Sequence, residues 1–391
     1  MKSSNYSYNK TIAAIRDGAS VNFQDLRNKY VTSNTKKNDS TYQRIDAELK
    51  QLRKHKPVNK ERILELREEL QLAKKEMKSV KNEGVHEWEL KTPKEIRAEA
   101  VKDVCKAYKT MFTNLKKGNI KRSQIRYRVR KSVQQCLAIP KNFLSNRQGI
   151  LQLAPTFFGE EKFISMGKRN IKKYRHLEIQ HDCRLVKKHN QYWLYIPVEA
   201  AEVPSNLSWK KYSGVDPGIR TFMTTFGNGG CYEYEHNENK IKNIDKKLKS
   251  YKTRHIRKRS YLKQERKKEH CIDEIHWKTI TELLRRNDVL FYGDIQSHNI
   301  VRGKKNRTLN KDTNNLKFYQ FKQRLQFKAS EKGKKVIVVK EHYTTKTCSF
   351  CGTMNEPGAS KVYHCSNCKR KVGRDVNAAK NILMKELIKH V

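Results

Sequence analysis

The chain of 391 residues sets 86 Lys and Arg against 40 Asp and Glu, a formal charge of +46. A field of that sign excludes polycationic partners and calls for a polyanion, nucleic acid foremost, although A/T-rich coding also enriches Lys. The length allows two or three domains with their own cores, and with no signal peptide and no apolar run long enough to span a bilayer, a soluble, intracellular protein is expected.

From the N-terminus, Ile45, Leu49 and Leu52, then Ile63, Leu66, Leu70, Ala73 and Met77 beyond Pro57, recur in three- and four-residue steps. They predict an α-hairpin with coiled-coil-like seams, whose default role is packing but whose charged outer faces would also suit a duplex. Thr92-Pro93-Lys94-Glu95 predicts the start of a further helix, with Thr92 as N-cap, proline first and Glu three residues after the cap. Its buried face would use Ile96, Ala100, Val104, Ala107, Met111 and Leu115. Between 123 and 203 short alternating runs at 125–129, 149–153 and 192–198 predict strands of a small antiparallel barrel, closed off by Pro204 and Ser205.

Beyond that boundary strands alternate with helices. Residues 213–218 lead into 221–226 as a hairpin. The segment 240–270 is dense in Lys and Arg, with Ile241, Ile244, Leu248 and Tyr251 at helical spacing. It reads as a basic helix or helix pair along a phosphate backbone, with Arg254, Arg257, Lys258 and Arg259 as contacts; a solvated face doubling as a nuclear-import signal is the alternative. A helix at 275–284, a strand at 288–292, a helix at 316–328, a strand at 336–339 and a last helix at 375–388 complete an α/β region around a mixed sheet.

Two features of this region carry chemistry. Cys348, Cys351, Cys365 and Cys368 form a C-x₂-C-x₁₃-C-x₂-C array, two tight turns that supply four thiolates for a tetrahedral Zn²⁺. Two disulfides are the alternative, disfavoured by the missing signal peptide and by the scatter of Cys105, Cys136, Cys183, Cys231 and Cys271, which read as small buried hydrophobes. Asp216 ends a short apolar run before Pro217-Gly218, and Asp375 opens a helix, where the dipole tolerates a carboxylate. Alone, an acid at a strand end or helix cap is more often structural; in order beside a four-cysteine ribbon, the pair points to two Mg²⁺ ions about 4 Å apart acting on a phosphodiester.

These strings resemble the TnpB-type RNA-guided nucleases of transposable elements, and within them the Fanzor branch of eukaryotes and giant viruses. The specific matches are GVDPGIR (214–220), IHWKTITELL (275–284), TTKTCSFCG (344–352) and CSNCKRKVGRDVNAAKNI (365–382); YNKTI (8–12) and the stretch 92–109 match loosely. The resemblance implies an α+β and α/β multidomain protein: a helical recognition-like lobe at 1–90, a helix plus wedge-type β-barrel at 91–205, and a RuvC-like, RNase H-fold nuclease at 206–391 with a zinc ribbon at about 344–372. It further implies a Mg²⁺-dependent DNA endonuclease guided by RNA from the same element, nuclear in a eukaryotic host. The alternative is a catalytically inactive zinc-ribbon remnant that still binds DNA or RNA.

Two departures from the family pattern matter. The second carboxylate, a Glu at the end of the strand 288–292, is replaced by Gly293. Fanzor-like members carry a relocated Glu before the TT-x-T-C segment, which here is Glu341, so Asp216, Glu341 and Asp375 form the expected triad. Asp294 is the rival, but the pleat turns it to the opposite face. The chain also begins almost directly at 8–12, which predicts a wedge barrel short of an edge strand, as in a truncated or decayed copy.

Overall fold

The computed structural model describes the chain apart from residues 32–39, 53–59, 81–85, 130–131, 159–162, 166–170, 173, 200–208, 237, 252–257, 296–300, 302–306, 359 and 389–391. It comprises two compact units, Met1–Val198 and Glu199–Val391. The expected boundary at Pro204 and Ser205 lies outside the described residues. Among the described residues no helix is long and apolar enough to cross a membrane.

The first unit opens with α1 (Lys2–Arg16), α2 (Phe23–Tyr30), α3 (Ser40–Leu52) and α4 (Lys60–Val80). The last two form the expected hairpin, burying Ile45, Leu49, Ile63, Leu66 and Ala73 against each other. Pro57 and the side chain of Met77 lie outside the described residues. After the short α5 (Glu87–Leu90) comes α6 (Lys94–Lys116), which starts one residue later than expected. Pro93 is its N-cap with no capping side chain, because Thr92 N donates instead to Glu89 O, closing α5. Its buried face is also wider than expected: Ala98, Val101 and Cys105 pack toward α1 and α2, Tyr108 joins Tyr8 and Ile12, and Ala107, Met111 and Leu115 are only half-buried.

The stretch 125–129 alternates like a strand but forms no ladder. Its backbone groups are taken by side chains of α1. Asn9 Nδ2 donates to Arg128 O at 2.9 Å, Asn9 Oδ1 accepts from Arg128 N at 2.7 Å, and an Arg16 guanidinium donates to Ile125 O at 2.9 Å. The strands are β1 (Gln134–Ile139), β2 (Leu144–Arg147), β3 (Ile150–Leu153), β4 (Phe163–Ser165) after a short α7 (Pro155–Phe158), β5 (Cys183–Lys188) and β6 (Gln191–Tyr195). Among the described residues they pair as two three-stranded antiparallel sheets, β1-β5-β6 and β2-β3-β4. A shared core of Leu137, Ile139, Leu144, Leu151 and Cys183, with Ile96 of α6, joins the sheets by packing.

The second unit runs β7 (Tyr212–Pro217), β8 (Met223–Gly227), β9 (Gly230–Tyr234), α8 (Glu238–Ser250), α9 (Arg259–Arg286), β10 (Val289–Gly293), α10 (Arg307–Leu316), α11 (Phe318–Ser330), β11 (Lys335–Val339), β12 (Val362–His364), β13 (Lys371–Gly373) and α12 (Arg374–Leu387). The expected helix 275–284 is the C-terminal half of α9, since no Gly or Pro interrupts its 28 residues. The expected helix 316–328 is instead broken at Lys317, whose φ of 48° separates α10 from α11.

The five main strands are ordered β11-β10-β7-β8-β9, with β7, β10 and β11 parallel and β7-β8-β9 antiparallel. One face of this sheet carries α9 and α11 over Val215, Met223, Leu283, Tyr292 and Phe321. The other carries α12 over Phe291, Val339, Ile382 and Leu383. Gly214 fixes the approach of α12, because a Cβ there would stand 2.2 Å from Ala379 O and 2.8 Å from Leu383 N. Asp375 lies about one turn before Ala379, so the close seat on β7 carries the start of α12 to the C-terminal ends of the parallel strands.

Candidate metal centres

The four ribbon cysteines converge: their Sγ atoms all lie within 4.8 Å of one another, the only such group of metal-ligating side chains among the described residues. Cys348 and Cys368 stand 3.7 Å apart and Cys351 and Cys365 3.5 Å, too far for disulfides. A tetrahedron with metal–sulfur bonds of about 2.3 Å has edges of about 3.8 Å, so the sulfurs are already spaced for Zn²⁺. The first turn is closed by Gly352 N donating to Cys348 O at 3.0 Å, the second by Cys365 N donating to Arg370 O at 3.0 Å. Hydrogen bonds from Thr353 pull the Cys351 thiol down to about 5, in the direction a metal-binding thiolate requires. Beneath the sulfurs the Tyr363 ring is fully buried, and its hydroxyl donates to Lys346 O at 2.9 Å. Of the other five cysteines, Cys105, Cys183 and Cys271 are buried as expected, Cys136 is half-buried, and Cys231 is exposed.

Two asparagines of α12 tie this ribbon to the sheet. Asn377 Nδ2 donates to Thr347 O at 2.8 Å while its Oδ1 accepts from Ser349 N at 2.9 Å. One turn on, Asn381 Nδ2 donates to Thr344 O at 2.8 Å and to Thr347 O at 2.7 Å. Both are buried. They were not among the expected site residues, and the signal for them is only two asparagines four apart on an otherwise apolar helix face.

The carboxylates gather at the C-terminal edge of the parallel strands. Asp216 is the penultimate residue of β7, Gly293 ends β10 opposite Val339 of β11, and Glu341 follows β11 by two residues. Thr344 fixes the turn at Glu341, its hydroxyl donating to Glu341 O at 2.9 Å. The Glu341 side chain then lies over Gly293: a Cβ built on that glycine would be 2.4 Å from Glu341 Oε1. The carboxylate thus fills the space from which a side chain at 293 would emerge. Its Oε1 is buried with no hydrogen-bond partner.

Burial, and then the Asp294 charge, push the Glu341 carboxyl up to about 7. Burial also pushes Asp216 well above the usual carboxylate range, reinforced by Glu341 and Asp375 and opposed by Arg374. Asp375, in the first turn of α12, has Arg374 Nε at 3.5 Å. Asp294 is engaged elsewhere, its carboxylate accepting from Lys322 Nζ of α11 at 2.6 Å. The edge therefore brings together carboxylates with an orphaned buried oxygen, a donor set of the hard kind that suits Mg²⁺.

Of the four expected nucleic-acid contacts, Lys258 and Arg259 are exposed at the start of α9, while Arg254 and Arg257 lie outside the described residues.

Residues 318–382 match the family model described as Cas12f1-like, TNB domain. A protein of Paramecium bursaria Chlorella virus 1 described as "Putative transposase A625R" is 28% identical over 77% of this chain and 71% of its own. TnpB-like protein L770 of Acanthamoeba polyphaga mimivirus is 30% identical over 74% of this chain, which spans 56% of that relative's length. The CRISPR-associated endodeoxyribonuclease Cas12f2 of a Micrarchaeota archaeon is 29% identical over 52% of this chain and 43% of its own.

Proposed function

We propose that the chain, similar to a viral putative transposase and to TnpB-like proteins, is a TnpB-like, transposon-associated protein that acts as an RNA-guided, Mg²⁺-dependent DNA endonuclease. The observation that carries this reading is the Glu341 carboxylate seated over Gly293, beside Asp216 and near the start of α12. The strand order, three antiparallel strands extended by two parallel ones, is that expected of an RNase H-like, RuvC-type domain. In this reading the two sheets of the first unit serve as the wedge-type barrel and the α3/α4 hairpin as the recognition lobe, over the ranges 1–90, 91–205 and 206–391 given above.

Asp216, Glu341 and Asp375 would hold two Mg²⁺ ions, which when bound activate a water and stabilise the leaving oxygen of a phosphodiester. The chain's own part is to bring three carboxylates to one edge, with Asp216 buried and Arg374 beside Asp375. Cys348, Cys351, Cys365 and Cys368 would hold a structural Zn²⁺ with no open coordination position. Lys258 and Arg259, with Arg254 and Arg257, would meet the phosphate backbone while base pairing to a guide RNA from the same element reads the sequence. The protein would act where its DNA target is, in the nucleus if the host is eukaryotic.

Gly293 favours a second reading, a remnant that binds nucleic acid without cutting it. The two are separated by supplying the purified protein with RNA transcribed from its own locus and a plasmid matching that RNA. Cutting that requires Mg²⁺ is the expected result; retained RNA binding with no cutting at any divalent cation would leave the remnant.

A further inference from the structure

Within the first unit a cavity of about 700 Å³ opens between α1, α5, the 125–129 segment and the β1-β5-β6 sheet. Lys2, Arg128 and Lys187 supply its cations and Tyr6, Trp88 and Tyr192 its aromatic surfaces; no Asp or Glu lines it. The aromatic wall is preassembled. Tyr6 meets Trp88 edge to face at 5.0 Å between centroids, and His86 stacks on the outer side of the group at 6.0 Å from Trp88. On the opposite side the Lys187 ammonium rests 5.6 Å above the Tyr192 ring. Trp88 and Tyr192 are 42% and 63% exposed, so neither is consumed by the core.

Arg128 is held in place rather than left to swing. Its guanidinium lies 3.8 Å over the Tyr8 ring and donates through Nη2 to Asp103 at 3.0 Å, while its main chain is clamped by Asn9. Its Nη1 is nonetheless buried with no hydrogen-bond partner. With Lys2 and Lys187 and no lining carboxylate, this fixed guanidinium gives the cavity a cationic wall, which suits an anion.

Cations alone would fit any phosphate; flat aromatic faces in the same lining fit a nucleobase. Asn5 and Gln135 also bring amides to the lining, a group that can donate to and accept from a ribose 2′-hydroxyl. We propose that this cavity binds one unstacked nucleotide of a single-stranded RNA, its base against Trp88 and Tyr192 and its phosphate on Arg128 and Lys187. The inference deepens the RNA-binding part of the proposed function and rests on it.

The test uses the full chain and a short oligouridylate bearing one 5-iodouridine. After irradiation, peptides carrying the adduct should contain Tyr6, Trp88 or Tyr192. The double variant Trp88→Ala, Tyr192→Ala removes only exposed rings, and should weaken oligouridylate binding about 5- to 100-fold, with Trp88→Phe restoring part of the loss. Binding of duplex DNA should be unchanged. Adducts confined to other regions, or a double variant that binds the oligouridylate like wild type, would overturn the site; equal weakening toward oligodeoxythymidylate would overturn its assignment to RNA. Because none of these measurements requires cutting, wild type that crosslinks here yet cleaves nothing overturns the nuclease reading alone.

Discussion

The two candidate metal centres of the second unit are both tied to α12 and are built on opposite principles. The sulfur centre is gathered, its four ligands within 4.8 Å, on two hairpin turns that each contribute a neighbouring pair. The carboxylate centre is spread, one acid from a strand end, one from past the last strand and one from a helix start. The cysteines can share protons through paired Sγ contacts and so wait in contact. The carboxylates stand apart, and burial first, with neighbouring acids second, makes Asp216 and Glu341 hold their protons to higher pH. The difference teaches that closeness of ligands before the ion arrives reports the charge of the ligands as much as the quality of the site.

The strongest way to break this contrast is to remove the metal from the gathered site. Structural Zn²⁺ contributes on the order of 10 kcal/mol to the fold around it. Cys351→Ser or Cys368→Ser should therefore lose zinc in metal analysis and expose residues 344–373 to protease, and cleavage should fail as well, because the ribbon is bonded to α12 through Asn377 and Asn381. Zinc retained in both variants would refute the four-sulfur site.

At the spread site, Asp216→Ala, Glu341→Ala and Asp375→Ala should each lower the Mg²⁺-dependent cleavage rate by roughly 1000-fold with RNA affinity intact, the scale of several kcal/mol supplied by a metal-held oxygen. Asp294→Ala should keep most activity, since its carboxylate is paired with Lys322. An active Glu341→Ala beside an inactive Asp294→Ala would reverse the assignment.

A subtler perturbation leaves every acid in place. Gly293→Ala puts a methyl 2.4 Å from Glu341 Oε1 and 3.0 Å from Ile382 Cδ1, so the carboxylate must swing aside. Cleavage should fall roughly 10- to 100-fold, as for ligands misplaced by about 1 Å. An unaffected rate would mean that Glu341 works from another position.

Acidity gives a fourth measurement. The Glu341 carboxyl titrates at about 7 against an ordinary 4.5, so the folded state prefers the protonated form. Stability is then full below about pH 4.5 and falls as pH rises toward 7, by about 3 kcal/mol at most. Thermal melts without added divalent cation should show that decline, and Mg²⁺ should reverse it at pH 7 and above by favouring the ionised form. In Glu341→Gln the decline should shrink; an unchanged profile would place the titration elsewhere.

The smallest effect tests the link between the centres. Asn381→Ala removes the Asn381 bond to Thr344 O and one of the two side-chain amide bonds to Thr347 O, and should cost about 1–3 kcal/mol of stability while zinc stays bound.

The contrast also explains what could be read from sequence. The four cysteines are legible because each pair is local, one on either of two short turns. Asp216 and Asp375 are legible as a strand end and a helix start. Glu341 has no local mark; only the family resemblance singled it out, and its meaning lies in the empty space above Gly293. Asn377 and Asn381 escaped notice because their partners are carbonyls about thirty residues away, beyond any spacing rule. The run 125–129 misled for a related reason: alternation marks an extended chain with one face covered, and here the cover is α1.

The space above Gly293 also makes two distant positions one. A berth at the sheet edge that holds the Glu341 carboxylate has no room for a Cβ from the end of β10, so the smallest residue at 293 and the acid at 341 are two halves of a single steric choice.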